Sequence, residues 1–157
     1  MNHPPLSYLF GDRSSGQLSA LAGQFTAEGK RVVGALPLDP NLPSSKNCDM
    51  DIRIIPGGAS FRISQSLGQG SAGCRLDAGA LEMAAIACAA ELAKGADILI
   101  LNKFGKLEAE GRGFCPVIAE AISASIPVIL GVNRFNLDAL LEWSGGLARE
   151  LELACID

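Results

Sequence analysis

The first 36 residues constrain the fold more than any other part of the sequence, because they read as strand, helix and strand. Residues 8–10 are a short apolar run that ends at Gly11, and residues 31–36 are a second apolar run. Between them, apolar residues recur on one face of a helix, at Leu18, Leu21, Ala22 and Phe25. Gly29 stands where that helix would end. Two strands joined by a helix form a parallel pair with a right-handed crossover, so an α/β fold is predicted.

The remainder of the chain continues this alternation. Residues 52–55 and 61–64 predict two short strands that form a hairpin around residues 56–58. Residues 98–101 are wholly apolar, as is typical of a strand at the centre of a parallel sheet.

Helix signals separate these strands. Asp77 is expected to cap one helix, Pro116 to lie in the first turn of the next, and Asn136 to cap the last, after a strand over residues 127–132. The prediction is one α/β domain over residues 1–157: a mostly parallel sheet flanked by helices, with a short antiparallel hairpin.

Charge and hydropathy exclude several classes of protein. The net charge is −4 and no basic run is present, which argues against a nucleic-acid partner. The apolar runs are shorter than the roughly 20 residues of a membrane span, and residues 1–6 lack the features of a signal peptide. A cytoplasmic protein without a membrane span is expected.

Cysteine and histidine usage limits the chemistry further. The chain has five cysteines without a Cys-x-x-Cys pair, and its single histidine is His3. We therefore expect neither a disulfide framework nor a metal site, and no acid–base catalysis by histidine.

The first candidate site follows the first strand. Gly11 and Gly16 have the spacing of a P-loop, but Gln17 replaces its lysine and Leu18 its hydroxyl residue. Ser14 and Gln17 also have the spacing of a capping box. Backbone amides at a helix start still bind anions, so ligand binding is predicted for Gly11, Ser14, Ser15 and Gly16. The alternative is an ordinary turn between strand and helix.

The second candidate site is residues 102–113, which follow the central strand, where open α/β sheets bind ligands. Here three cations, two carboxylates and three glycines alternate. Ligand binding is predicted for Asn102, Lys103, Gly105, Lys106, Arg112 and Gly113, the alternative being a charged surface loop. Asn102 and Lys103 stand where a P-loop enzyme carries the acid for Mg²⁺.

The third candidate is residues 71–77, which precede a helix. Arg75 lies where the helix dipole already favours anions, and its guanidinium would add a bidentate contact to an oxyanion. Cys74 is the cysteine expected to be exposed with a lowered pKa, although a structural role is the alternative because no histidine base is available.

Longer stretches resemble a bacterial family, the domain of unknown function 2478. They are Phe61-Arg62-Ile63-Ser64-Gln65, Gly73-Cys74-Arg75-Leu76-Asp77, Asn102-Lys103-Phe104-Gly105-Lys106, Glu108, Glu110-Gly111-Arg112-Gly113 and Gly145-Gly146-Leu147. The resemblance covers nearly the whole chain. It implies a P-loop-NTPase-like fold and a link to molybdenum metabolism. Residues 102–106 also distantly resemble the nucleoside-triphosphatase family of thermophiles, with Asn102-Lys103 in place of its Asp-Glu pair.

Three hypotheses follow. In the first, the protein is a degenerate P-loop-like binder of a phosphate or oxyanion (a nucleotide or molybdate) without efficient hydrolysis, and residues 11–16 surround the ligand with Arg75, Lys103, Lys106 and Arg112. In the second, it is a nucleoside triphosphatase that uses Mg²⁺ with the nucleotide and relocated catalytic groups at Lys106, Glu108 and Glu110. In the third, residues 102–113 bind a molybdate-transport or cofactor-assembly protein.

Overall fold

The structure is a computed structural model that describes residues 4–11, 13–38, 50–66 and 74–152; at 50, 64–66, 74 and 75 it describes the backbone alone. The strands are β1 (Leu6–Phe10), β2 (Val32–Pro37), β3 (Met50–Ile55), β4 (Ser60–Ser66), β5 (Cys74–Leu76), β6 (Ile98–Phe104), β7 (Val128–Val132) and β8 (Arg149–Glu150). The helices are α1 (Ser14–Ala27), α2 (Ala78–Leu92), α3 (Lys106–Ala109), α4 (Cys115–Ser123) and α5 (Arg134–Trp143).

All the strands of the described residues lie in one sheet, in the order β5-β4-β3-β2-β6-β7-β1-β8. Strands β2, β6, β7, β1 and β8 are parallel, and β3, β4 and β5 add an antiparallel extension beside β2. The predicted α/β class with a mostly parallel sheet is confirmed.

Helices cover both faces of the sheet, because the central strands are apolar on both sides. Ile98 and Ile100 of β6 pack with α1 on one face, and Leu99 and Leu101 pack with the other helices on the opposite face. On α1 the predicted apolar face, Leu18, Leu21, Ala22 and Phe25, is buried. No helix in the described part of the chain has both the length and the apolar character needed to cross a bilayer.

Two short strands were not predicted, and one strand is longer than expected. The hairpin is confirmed as β3 and β4, but β5 adds a third antiparallel strand with Gln65 opposite Arg75. Strand β8 has two residues, and such short strands carry no periodic signal. Residues 102–113 are not one loop: β6 continues to Phe104 and α3 follows.

The residues that cap the helices agree only in part with the predicted caps. The Asp77 side chain accepts a hydrogen bond from the Ala80 amide at 2.9 Å and caps α2, as predicted. The capping box at Ser14 is wrong, because the cap position is one residue earlier, at Arg13, whose side chain makes no capping hydrogen bond. The last cap is also misplaced by three residues: Asn133 accepts from the amide of Asn136 at 3.1 Å.

Candidate functional site

The order of the strands creates a topological switch point at the carboxyl edge of the sheet. From β1 the chain passes through α1 to β2, whereas from the neighbouring β7 it passes through α5 to β8 on the other side. The two connections leave the sheet on opposite faces, because right-handed crossovers in opposite directions must do so. Open α/β sheets bind ligands in the crevice outside such a switch point.

Two of the predicted site segments, at the start of α1 and at the end of β6, meet at this edge of the sheet. The Ser15 hydroxyl donates a hydrogen bond of 2.7 Å to Oδ1 of Asn102, although 87 residues separate them in sequence. The contact passes over β7, where Gly131 leaves the necessary space: a Cβ there would overlap the carbonyl oxygen of Asn102 and lie 3.0 Å from Oγ of Ser14. The start of α1 and the end of β6 therefore form one site.

Among the described residues, no side chain caps the start of α1. The first turn of any helix has amides without intrahelical partners. The residue at the cap position of α1 is Arg13, whose side chain makes no capping hydrogen bond and is exposed. The Ser14 amide makes only a 3.3 Å turn bond to the carbonyl of Gly11. The dipole of this 14-residue helix favours an anion here.

Two lysines lie at the end of β6 and the start of α3. Lys103 and Lys106 are exposed, and neither ammonium has a hydrogen-bond or ion-pair partner within the described residues. Arg112 differs, since its guanidinium lies 3.4 Å from Oε1 of Glu110. The side chain of Arg75 lies outside the described atoms, and its backbone is in β5. The lysines thus supply positive charge that no described carboxylate neutralises.

Glu108 is buried and holds the turn after α3. Its side chain is 2% exposed, Oε1 accepts a hydrogen bond from the Gly105 amide at 2.8 Å, and Oε2 accepts one from the Phe114 amide at 2.9 Å. Glu82 on α2 accepts from the Gly113 amide at 2.7 Å. Both oxygens of Glu108 are therefore engaged by the backbone, whereas the exposed Glu110 is paired with Arg112.

Burial raises the pKa of Glu108, and the negative charge of Glu82 raises it further, against the lowering effect of the backbone amides. A carboxyl whose pKa is raised on folding stabilises the native state fully below its ordinary pKa near 4.5, and this stability is lost as the pH rises through the higher native value.

Glu108→Gln should therefore change the pH dependence of stability. The wild-type free energy of unfolding should fall relative to that of the variant as the pH rises from 4.5 through the native pKa, because the amide does not titrate. Urea denaturation of both proteins from about pH 4 upward measures the difference. A difference that stays constant over this range would show that Glu108 does not titrate with a raised pKa.

The two cysteines whose side chains are described lie in the hydrophobic core. Cys88 and Cys115 are buried, and burial raises the pKa of each thiol to about 12, so neither is poised as a thiolate. The side chain of Cys74 lies outside the described atoms. Within the described ranges, no three His, Cys, Asp or Glu side chains come together as a set of metal ligands.

Two residues of the site were missed by sequence reasoning. A glycine inside an apolar strand often marks a close backbone approach, so Gly131 carried a usable signal. Glu82 carried none, because 31 residues separate it from the amide that it binds. Among the predicted residues, Ser14, Ser15 and Asn102 come together, and Lys103 and Lys106 line one cavity with Asn102. Gly105, Glu108 and Gly113 lie together in the turn after β6.

Comparisons with known proteins identify a family and one relative. The sequence profile of a family described as "Protein of unknown function (DUF2478)" matches residues 8–155. The Molybdenum import ATP-binding protein ModC 2 of Bradyrhizobium diazoefficiens is 33% identical over 136 residues, which cover 85% of this chain but only 15% of that protein. No solved structure matches the chain. The α/β architecture, a mostly parallel sheet with helices on both faces, is consistent with a P-loop-NTPase-like fold.

Proposed function

We propose that this chain, which belongs to the DUF2478 family of proteins of unknown function, binds a phosphate or a similar oxyanion at the carboxyl edge of its sheet. Efficient hydrolysis is not part of the proposed function. The ligand lies over the end of β6, between the first turn of α1 and the two lysines.

One observation carries this proposal. The hydrogen bond between Ser15 and Asn102 joins the start of α1, which no described side chain caps, to the end of β6, where Lys103 and Lys106 have no described partner. Free backbone amides and lysine ammonium groups are the donors with which proteins bind phosphate. In this arrangement both kinds of donor lie at the switch point of the sheet.

The relative narrows the choice of anion. Its name states that it imports molybdenum and binds ATP, so a nucleotide phosphate and molybdate are the two ligands proposed for this chain. Both are tetrahedral oxyanions, and the same set of donors suits either of them.

Weak or absent hydrolysis is proposed because the usual catalytic groups are replaced or engaged. Gln17 and Leu18 stand in place of the P-loop lysine and hydroxyl. Both oxygens of Glu108 accept backbone hydrogen bonds, so binding Mg²⁺ there would leave the amides of Gly105 and Phe114 unpaired. Loss of one preorganised charge-stabilising donor costs about 10²–10³ in rate.

Titration calorimetry with ATP, GTP and molybdate, each with and without Mg²⁺, tests the proposal. Lys106→Ala should weaken anion binding about tenfold or more, because a hydrogen bond to a charged group contributes roughly 1.5–3 kcal/mol. Lys94→Ala is the matched control, since Lys94 is 65% exposed and follows the far end of α2. Binding should also weaken as salt is added.

The outcomes separate the hypotheses. Anion binding without Mg²⁺ that is lost in Lys106→Ala but kept in Lys94→Ala supports the proposal. Nucleotide binding that requires Mg²⁺ would favour the triphosphatase, with Lys106 and Glu110 as its candidate groups. If none of the three anions binds, the proposal is wrong.

A second candidate function is partner binding through residues 102–113. It is favoured by the relative, in which the matching region is only 15% of a longer protein and so lies beside other parts of that chain. A molybdate-transport or cofactor-assembly protein is the proposed partner. Failure of all three anions to bind would make this function the leading one.

A further inference from the structure

A cavity of about 330 Å³ opens beside the end of β6, on the face of the sheet that carries α2. Its walls are mostly aliphatic and come from several elements, including Ile52 of β3, Ile63 of β4 and Leu81 of α2. The rim includes Leu76, which is 37% exposed. Small-molecule sites have volumes of about 300–1,000 Å³, so this cavity is at the lower end of that range.

The polar residues among the described lining of the cavity lie at the end of β6 and in α3. Asn102, Lys103 and Lys106 line the edge formed by the end of β6 and the start of α3. Glu108 also lines it, and its carboxylate oxygens accept hydrogen bonds from the amides of Gly105 and Phe114. Among the described lining residues, the positively charged side chains are therefore those of Lys103 and Lys106.

This distribution of charge identifies the chemistry of an occupant. The described side chains of the aliphatic wall carry no hydrogen-bonding groups, so a polar body would lose hydration there without replacement from them. Pockets lined mostly by apolar side chains with a few polar groups are typical sites for small organic molecules. The lysine edge, in contrast, complements a negative charge.

We infer that the anion bound at this edge is the head group of a small organic molecule, an ester of phosphate, whose apolar body occupies the cavity between β3, β4 and α2. Inorganic phosphate or molybdate would use the lysine edge and leave the aliphatic part empty. This inference rests on the proposed function, because the same lysines hold the anion in both.

A series of alkyl phosphates tests the inference on the wild-type protein. Calorimetry with inorganic phosphate, butyl phosphate and hexyl phosphate should show affinity that increases with chain length. Each buried methylene should tighten binding roughly fourfold, so hexyl phosphate should bind about fifteenfold more tightly than butyl phosphate.

Two leucines of equal exposure provide the matched pair of variants. Leu76→Ser removes apolar surface from the rim and should weaken hexyl phosphate several-fold while leaving inorganic phosphate unchanged. Leu147→Ser is the control, because Leu147 is also 37% exposed but lies between α5 and β8 and does not line the cavity. Lys106→Ala should weaken every member of the series by the same factor.

The results distinguish failure of this inference from failure of the proposed function. If inorganic phosphate or molybdate binds but the alkyl chain adds no affinity, the inference is overturned and the proposed function stands. If affinity rises with chain length equally in Leu76→Ser and Leu147→Ser, the apolar body lies elsewhere and the inference is again overturned. If neither the inorganic anions nor the alkyl phosphates bind, and ATP and GTP do not bind either, the proposed function itself fails.

Discussion

Gly113→Ala should lower the free energy of unfolding by about 3 kcal/mol or more, because strain and lost hydrogen bonds add at this position. Gly113 has a φ of +63°, and a Cβ there would overlap Oε2 of Glu108 and lie 2.9 Å from its Cδ. The carboxylate has no room to retreat, since it is buried and bound to the amides of Gly105 and Phe114. The substitution must therefore break those bonds or shift the turn.

Gly111→Ala separates the cost of backbone strain from the cost of the lost Glu108 hydrogen bonds. Gly111 also has a positive φ, +82°, but a Cβ there meets nothing within 4 Å. It should cost about 1–2 kcal/mol, the strain of a left-handed conformation alone. Urea denaturation of both variants gives the comparison. Equal losses would show that Glu108 does not constrain residue 113.

The second large effect is expected at the centre of the sheet, where Gly34→Ala should lower stability by about 4 kcal/mol or more, or prevent folding. Gly34 of β2 pairs with Ile100 of β6. A Cβ on Gly34 would overlap the carbonyl oxygen of Ile100 and lie 2.9 Å from its carbonyl carbon. Because the obstacle is backbone and not the end of a flexible side chain, β2 and β6 would have to separate.

Gly23→Ala is the control for this prediction. Gly23 lies in α1, is exposed, and has no other group within 4 Å of the point where a Cβ would lie. Alanine there should therefore stabilise the protein by about 0.5–1 kcal/mol. Soluble yield and urea denaturation measure both variants. A Gly34→Ala protein within about 1 kcal/mol of wild type, the cost of a typical substitution, would show that the two strands adjust easily.

The parts of the fold that could be predicted are those with a local, periodic signal. The apolar face of α1 and the apolar run of β6 each repeat over several residues, and both were placed correctly. The caps show the limit of such reasoning. Ser14, the predicted cap of α1, is the first residue inside that helix, and Asn133 instead of Asn136 caps α5. Several polar residues near a helix start suit the cap, and the path of the chain selects one of them.

The same limit applies to the candidate site. Sequence reasoning named Ser15, Asn102 and Lys106 separately, from the turn after a strand and from the charged segment after another. It did not predict that Ser15 and Asn102 bond directly, nor that Glu82 and Glu108 hold the turn at Gly113. The aliphatic cavity was also unforeseen, since its walls come from segments far apart in the chain.

The sequence by itself determined the α/β class, the order of most elements and the residue types at the carboxyl edge, because hydrophobic period and turn chemistry act over a few neighbouring residues. Tertiary structure decided which of those residues meet. Placing β7 between β1 and β6 brings Ser15 to Asn102 across Gly131. Such contacts depend on strand order and on close approach of backbones, which only the packed chain defines.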